Sequence, residues 1–149
     1  EKRIELSKRM KADLYICSGK EDGVARVLRE TGGRGADIVI TANPAPQSHV
    51  DALKMAAVRG RVCLFGGMPE GTLIPQFDSN VIHYKELNVL GAHGAMPRHH
   101  KLALDMIASG RVDVRAIITH HFPLSDFNKA IQTAESREGL KVVILPEEN

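Results

Sequence analysis

The chain has 149 residues, 43% hydrophobic and 26% charged, and a formal net charge of +2 from 20 basic and 18 acidic side chains. That size and balance fit a globular protein with a real core and argue against wholesale disorder. No apolar run approaches the ~18 residues that a membrane helix needs. The basic residues are scattered, aromatics are 4% and Trp is absent, which argues against nucleic acid as a partner. Residues 1–5 already form a charged helical pattern rather than a secretory leader. Cys17 and Cys63 each lie in an apolar run and read as buried structural thiols of a cytoplasmic protein.

Residues 2–10 predict the end of a helix, with Ile4, Leu6 and Met10 at its apolar positions. Residues 14–17, Leu-Tyr-Ile-Cys, predict a short strand. Over 22–31, Val24, Val27, Leu28 and Thr31 follow the i, i+3, i+4, i+7 helical pattern, and the glycines of 32–35 stop it. Residues 37–42 form an apolar run without alternation, the mark of a parallel strand covered on both faces, with Asp37 as its polar entry. Pro44-Ala45-Pro46 breaks regular structure. A crossover helix starts at Gln47 or Ser48, buries Val50, Leu53, Ala56 and Ala57, and closes at Gly60. A second buried strand over 61–65 ends at Gly66-Gly67.

Residues 68–74 predict a loop and 80–86 a short helix or turn. A strand over 87–90 ends at Gly91-Ala92-His93-Gly94. Pro97 suits the first turn of a helix whose apolar face is Leu102, Ala103, Met106 and Ile107, ended by Gly110. Residues 116–122 are strand-like. Ser125 suits the cap of a helix carrying Phe127, Ala130, Ile131 and Ala134. A last strand at 142–145 precedes a polar tail. Met10, Met55 and Met106 sit at helical spacings and read as core.

Two apolar strands around one crossover helix make a βαβ unit, and in open α/β sheets ligands bind at the carboxyl ends of the strands. This directs attention to Thr41, Ala42 and Asn43 and to Gly66-Gly67. The glycine pair reads either as a tight turn or as a place of close cofactor approach. His93, at another strand end, reads as a cofactor or substrate neighbour or as an exposed loop histidine. The adjacent pairs His99-His100 and His120-His121 lack the spacing of metal ligands. No metal ligand and no catalytic residue is assigned. The glycine-rich turn that opens a dinucleotide fold is absent: the glycines of 32–35 follow a helix and precede a strand, the reverse order. The chain also opens inside a helix, so a piece of a larger protein, cut within its cofactor domain, is expected.

The segments 31–40 (TGGRGADIVI), 60–67 (GRVCLFGG) and 112–124 (VDVRAIITHHFPL) together resemble the zinc-type medium-chain dehydrogenases. Residues 79–87 (SNVIHYKEL) look closest to the sorbitol and threonine dehydrogenase-like branch. The resemblance implies an α/β fold: a partial doubly wound, Rossmann-type parallel sheet over residues 1–94, lacking its first two strands, then a segment over 95–149 that returns to a second, catalytic domain. It implies that Arg3 contacts the adenosine ribose of NAD or NADP, although Arg3 read alone is a solvated helix charge. Thr41, Ala42 and Asn43 would pass beside the nicotinamide ribose. Phe65, Gly66 and Gly67 would hold the carboxamide, and Gly91, Ala92 and His93 would face the ring. Members of the family often carry glycine where Lys11 stands, as a left-handed cap, and often glycine or a small residue where Asn43 stands.

The implied function is a portion of an oxidoreductase that moves a hydride from a secondary alcohol, a polyol or amino alcohol, to NAD(P). Zinc assists in the full-length protein, held by ligands outside this chain. The implied assembly is a cytoplasmic homo-oligomer, with the strand at 87–90 pairing across a subunit interface, with neither nucleic acid nor membrane as partner. Two other readings stand beside it: a non-catalytic nucleotide-binding or oligomerisation fragment, and a zinc-independent quinone or enoyl reductase. In a doubly wound sheet of order 3-2-1-4-5-6, losing strands 1 and 2 would detach 14–17 from 37–42.

Overall fold

In a computed structural model describing residues 2–72 and 75–146, the apolar run Ala36–Thr41 is strand β1 and lies parallel to β2, Ala56–Leu64. β2 in turn lies parallel to β3, Asn88–Gly91, giving a three-stranded sheet of order β1-β2-β3. A parallel pair needs a crossover, and helix α3, Pro46–Met55, supplies it between β1 and β2. The short helix α4, Asn80–Tyr84, precedes β3. Helix α2, Gly23–Glu30, starts where expected: Asp22 Oδ1 accepts from the backbone N–H of Val24 at 2.8 Å and of Ala25 at 3.1 Å.

The chain divides into two compact units, Ser18–Gly94 and Glu1–Cys17 with Ala95–Asn149. The first holds the three-stranded sheet. Its core is Ala52, Leu53, Ala56, Val62 and Leu87, with Val39, Leu64, Val81, Ile82 and Val89 packed against them. Val62 is fully buried.

The second unit contains helix α1, Lys2–Ser7, continued by a 3-10 turn Lys8–Met10, and helix α5, Pro97–Ala108. Strands β4, Ile118–Pro123, and β5, Lys141–Leu145, pair in parallel around helix α6, Phe127–Glu135, which buries Ala130. Among the described residues no helix is long and apolar enough to cross a membrane. Leu73, Ile74, the tail at 147–149 and Glu1 lie outside the described residues.

Several expectations are corrected. The crossover helix begins at Pro46, whose fixed φ suits the first helical position, and it ends at Met55. Ala56 and Ala57 are buried as expected, but as the first residues of β2. The strand reaches back this far because it bulges: Ala36 pairs with Ala56, yet Ile38 pairs with Arg61. Arg59 within the bulge has φ 61° and donates its N–H to the Lys85 carbonyl at 2.6 Å.

β1 and its neighbour β2 are not covered on both faces: Val39 packs against the core and Thr41 is buried, while Ile38 and Ile40 of β1 are 52% and 60% exposed and Val58 of β2 is exposed too. Unbroken apolarity marks a strand suited to burial on two sides, whereas this unit has helices on one. Residues 14–17 form no strand, and neither sheet includes them. A single apolar run of four has no ladder to join here, and Tyr15 Oη instead accepts from the Ala12 N–H at 2.8 Å. Both cysteines are free and part-exposed rather than buried. Met10 is 44% exposed, and Leu102 and Ile107 on α5 are also exposed, so none of these is core. Ser125 lies inside a 3-10 turn, Leu124–Asp126, and does not cap α6.

One contact ties three elements of the sheet unit together. Lys85 Nζ donates to the carbonyls of Leu53 at 3.4 Å, Lys54 at 2.8 Å and Ala56 at 2.8 Å. The carbonyls of Leu53 and Lys54 belong to the last turn of α3, lack helical partners and carry the negative end of its dipole, and that of Ala56 opens β2. Burial pushes the pKa of the Lys85 ammonium below its ordinary value. Lys85→Met is expected to cost about 1.5–3 kcal/mol, the range for hydrogen bonds involving a charged group. The check is urea unfolding, against Lys101→Met as an exposed control; equal midpoints would refute the assignment.

Candidate functional site at the strand ends

In a parallel sheet all strands end on one edge, and the pairing makes these ends level: Thr41 stands opposite Leu64, and Leu64 opposite Gly91. At ~4.8 Å per strand spacing, the three ends span about 10 Å. The structure thus brings Thr41, Ala42 and Asn43, Phe65, Gly66 and Gly67, and Gly91, Ala92 and His93 to one edge. Arg3 belongs to the other unit. It donates from Nη1 to the Gly139 carbonyl at 2.9 Å.

The edge is held by backbone. Gly66 N–H donates to the Thr41 carbonyl at 2.6 Å, and Ala92 N–H to the Leu64 carbonyl at 3.1 Å, so each strand end is tied to its neighbour. Thr41 is buried at 4% exposure and its hydroxyl donates to the Cys63 carbonyl at 3.4 Å. Asn43 does not use the left-handed conformation that its side chain tolerates. Its Oδ1 accepts from the Ala45 N–H at 3.0 Å, turning the chain out of β1 into α3.

The two glycines of the pair differ. A Cβ on Gly66 would stand 2.5 Å from the Asn43 carbonyl oxygen and 2.7 Å from its nitrogen. Gly66 is glycine because the backbones of two strand ends meet there. A Cβ on Gly67 would meet nothing within 4 Å, and the same holds for Gly91. Those two positions face open space, where a flat polar group could lie against bare backbone. Phe65 is 61% exposed beside them, and Ala42, Asn43, Ala92 and His93 are exposed.

His49, which was not singled out from the sequence, belongs to this edge. It lies in the first turns of α3 and its Nε2 is 3.3 Å from the Gly66 carbonyl oxygen. The available signal was its place, a few residues into a helix that starts over a strand end. Among the described residues no group of three His, Cys, Asp or Glu could hold a metal ion. Asp37 sits at the opposite end of β1, where its hydrogen bond to Arg34 holds its carboxyl below the usual range.

The sequence profile of the zinc-binding dehydrogenase family matches residues 1–109. The chain belongs to that family. It is 32% identical over 145 residues to an L-threonine 3-dehydrogenase of Bacillus velezensis, covering 97% of this chain and 41% of that protein. It is 29% identical over 147 residues to a sorbitol dehydrogenase of Halalkalibacterium halodurans, covering 97% and 41%. An alcohol dehydrogenase structure from Thermotoga maritima superposes with a TM-score of 0.85 at 23% identity, covering 96% of this chain and 40% of that one. The structure of AibC superposes with a TM-score of 0.80 at 30% identity, covering 95% and 38%. The chain therefore spans about two-fifths of the length of the relatives it matches. The doubly wound α/β reading of this zinc-binding dehydrogenase chain holds, as a partial sheet.

The contrast between the glycines gives a prediction. Gly66→Ala is expected to destabilise the sheet unit by about 1–3 kcal/mol, as overpacking does. Gly67→Ala is expected to stay within about 0.5 kcal/mol of the parent. Thermal unfolding of both variants checks this, and equal losses would contradict the geometry.

Proposed function

We propose that this chain forms the nicotinamide side of the cofactor cleft in an NAD- or NADP-dependent dehydrogenase of secondary alcohols, polyols or amino alcohols. The observation that carries the reading is the level edge of three parallel strand ends, with open backbone at Gly67 and Gly91. The likeness to a threonine dehydrogenase and a sorbitol dehydrogenase supports that substrate class. Residues 1–94 are read as part of the dinucleotide-binding domain and 95–149 as the segment returning to the catalytic domain.

The residues of this edge fit a nicotinamide. Thr41, Ala42 and Asn43 would lie along its ribose. Phe65, Gly66 and Gly67 would hold the carboxamide, because backbone N–H and C=O groups suit an amide that must accept and donate. Gly91, Ala92 and His93 would face the ring, and Arg3 would serve the adenosine ribose. The bound cofactor would supply the hydride acceptor. What the chain itself does is orient the carboxamide and so present one face of the ring. The tie from Gly66 N–H to Thr41 keeps two of the contacting stretches at fixed separation. His49 steadies the same turn through the Gly66 carbonyl.

The described residues do not fit a zinc site, and no step is assigned to zinc within this chain. In the complete enzyme, zinc would polarise the alcohol oxygen from ligands elsewhere, so the isolated chain is expected to be inactive. The enzyme is read as a cytoplasmic homo-oligomer that binds neither nucleic acid nor membrane. The outer edge of β3, paired only through β2 among the described residues, is free to meet a second subunit.

The test is cofactor reduction, followed by absorbance, in the enzyme that carries this chain. Reduction of NAD or NADP with sorbitol, threonine or another secondary alcohol is expected, with loss on zinc chelation. Gly67→Val should raise the KM for cofactor at least about tenfold through lost close approach. An enzyme that reduces neither cofactor with any secondary alcohol, or that ignores Gly67→Val, contradicts the proposal.

A further inference from the structure

A cavity of about 290 Å³ in the second unit is walled by two turns far apart in sequence. It is lined by Arg9, Met10 and Lys11 on one side and by Arg111, Val112 and Asp113, with Gly110, on the other. Each wall is braced by its own backbone. Lys11 N–H donates to the Lys8 carbonyl at 3.2 Å, and the N–H groups of Arg111 and Val112 share the Met106 carbonyl at 3.0 and 3.3 Å.

Three cations therefore face this space against one carboxylate. Among the described residues, none of the ion pairs or side-chain hydrogen bonds uses Arg9, Lys11 or Arg111, whereas neighbouring Lys8 is paired with Glu5 at 2.6 Å. The Asp113 carboxylate already accepts from the Arg115 N–H at 3.0 Å, capping the next turn. Like charges gathered around a concavity repel one another unless an anion joins them, and the concavity concentrates their field.

Lys11 adds an independent observation. Its backbone is left-handed, φ 54° and ψ 41°, at the end of the 3-10 turn. That conformation costs an L-residue energy that glycine would not incur. Lys11 is one of four non-glycine residues with positive φ among the described residues, it is the one of them that lines this cavity, and such local strain gathers at ligand sites.

We propose that this cavity binds a phosphate-class anion, free or carried as a phosphomonoester, between Arg9, Lys11 and Arg111. Two guanidinium forks and an ammonium are the donor set that phosphate oxygens take. The site involves no residue of the strand-end edge and stands or falls apart from the cofactor reading.

The experiment is a titration of the 149-residue chain with inorganic phosphate, and separately with glycerol phosphate, followed by amide NMR shifts at constant ionic strength in chloride. Saturable shifts at residues 9–11 and 110–113 are expected with either probe. Tighter binding of glycerol phosphate marks a carried phosphate, and tighter binding of inorganic phosphate marks a free one. Arg111→Gln should weaken binding about tenfold, the loss of one charge-assisted contact. Lys11→Gly should also weaken binding and yet melt at a higher temperature, a combination that a merely structural lysine would not give. Lys101→Gln, whose side chain pairs with Asp105 outside the cavity, should bind as the parent does. Phosphate acting no differently from chloride, or Lys11→Gly and Arg111→Gln binding as tightly as the parent, would overturn the proposal.

Discussion

The contact between the Asn43 and Gly66 backbones is the constraint on which the strand-end site depends. The Gly66 N–H reaches the Thr41 carbonyl at 2.6 Å, and no side chain fits at Gly66 because Asn43 is already there. With that approach, β1 and β2 end level, Asn43 can turn the chain into α3, and His49 on α3 comes back over the Gly66 carbonyl. Any side chain at 66 would push the two ends apart, and the open backbone at Gly67 would lose its fixed position beside Thr41. The contact depends on the core beneath it: Leu53 of α3 and Val62 of β2 set the distance between helix and sheet.

The sheet itself was legible because its cause is local. The two β-branched runs, the ten-residue helix between them, Asn43-Pro44 after the first run and Gly66-Gly67 after the second carry their own signals. What was not legible depends on neighbours. The run at 37–42 is apolar enough for burial on two faces, but Ile38 and Ile40 remain exposed because this unit covers one face only. Ala56 and Ala57 look like a helix's buried stripe, and a bulge at Arg59 turns them into strand instead. Residues 14–17 have strand composition but no strand to pair with. In each case the apolar residues carry a local pattern, and their state is decided by partners distant in sequence.

The site divides the same way. The strand ends are visible in sequence as places where apolar runs stop at glycine or asparagine. The division of labour within Gly66-Gly67 is not, because it depends on a backbone from 23 residues earlier. His49 and Lys85 were missed for a related reason: each acts on a carbonyl group, and carbonyls leave no mark on a sequence. Lys11 is the converse case. Its left-handed backbone matches the cap position at which family resemblance expects glycine, so the departure was visible, and the structure supplies a cavity for its side chain.

The central claim is that the edge formed by 41–43, 65–67 and 91–93 receives a nicotinamide. The most direct measurement is amide NMR of the chain during titration with NAD. Weak, fast-exchanging shifts concentrated at Gly66, Gly67, Ala92 and His93 are expected, weak because this chain supplies one side of the cleft. Shifts absent from those four residues at the highest NAD concentration, or clustered on the opposite edge of the sheet near Asp37, would contradict the account.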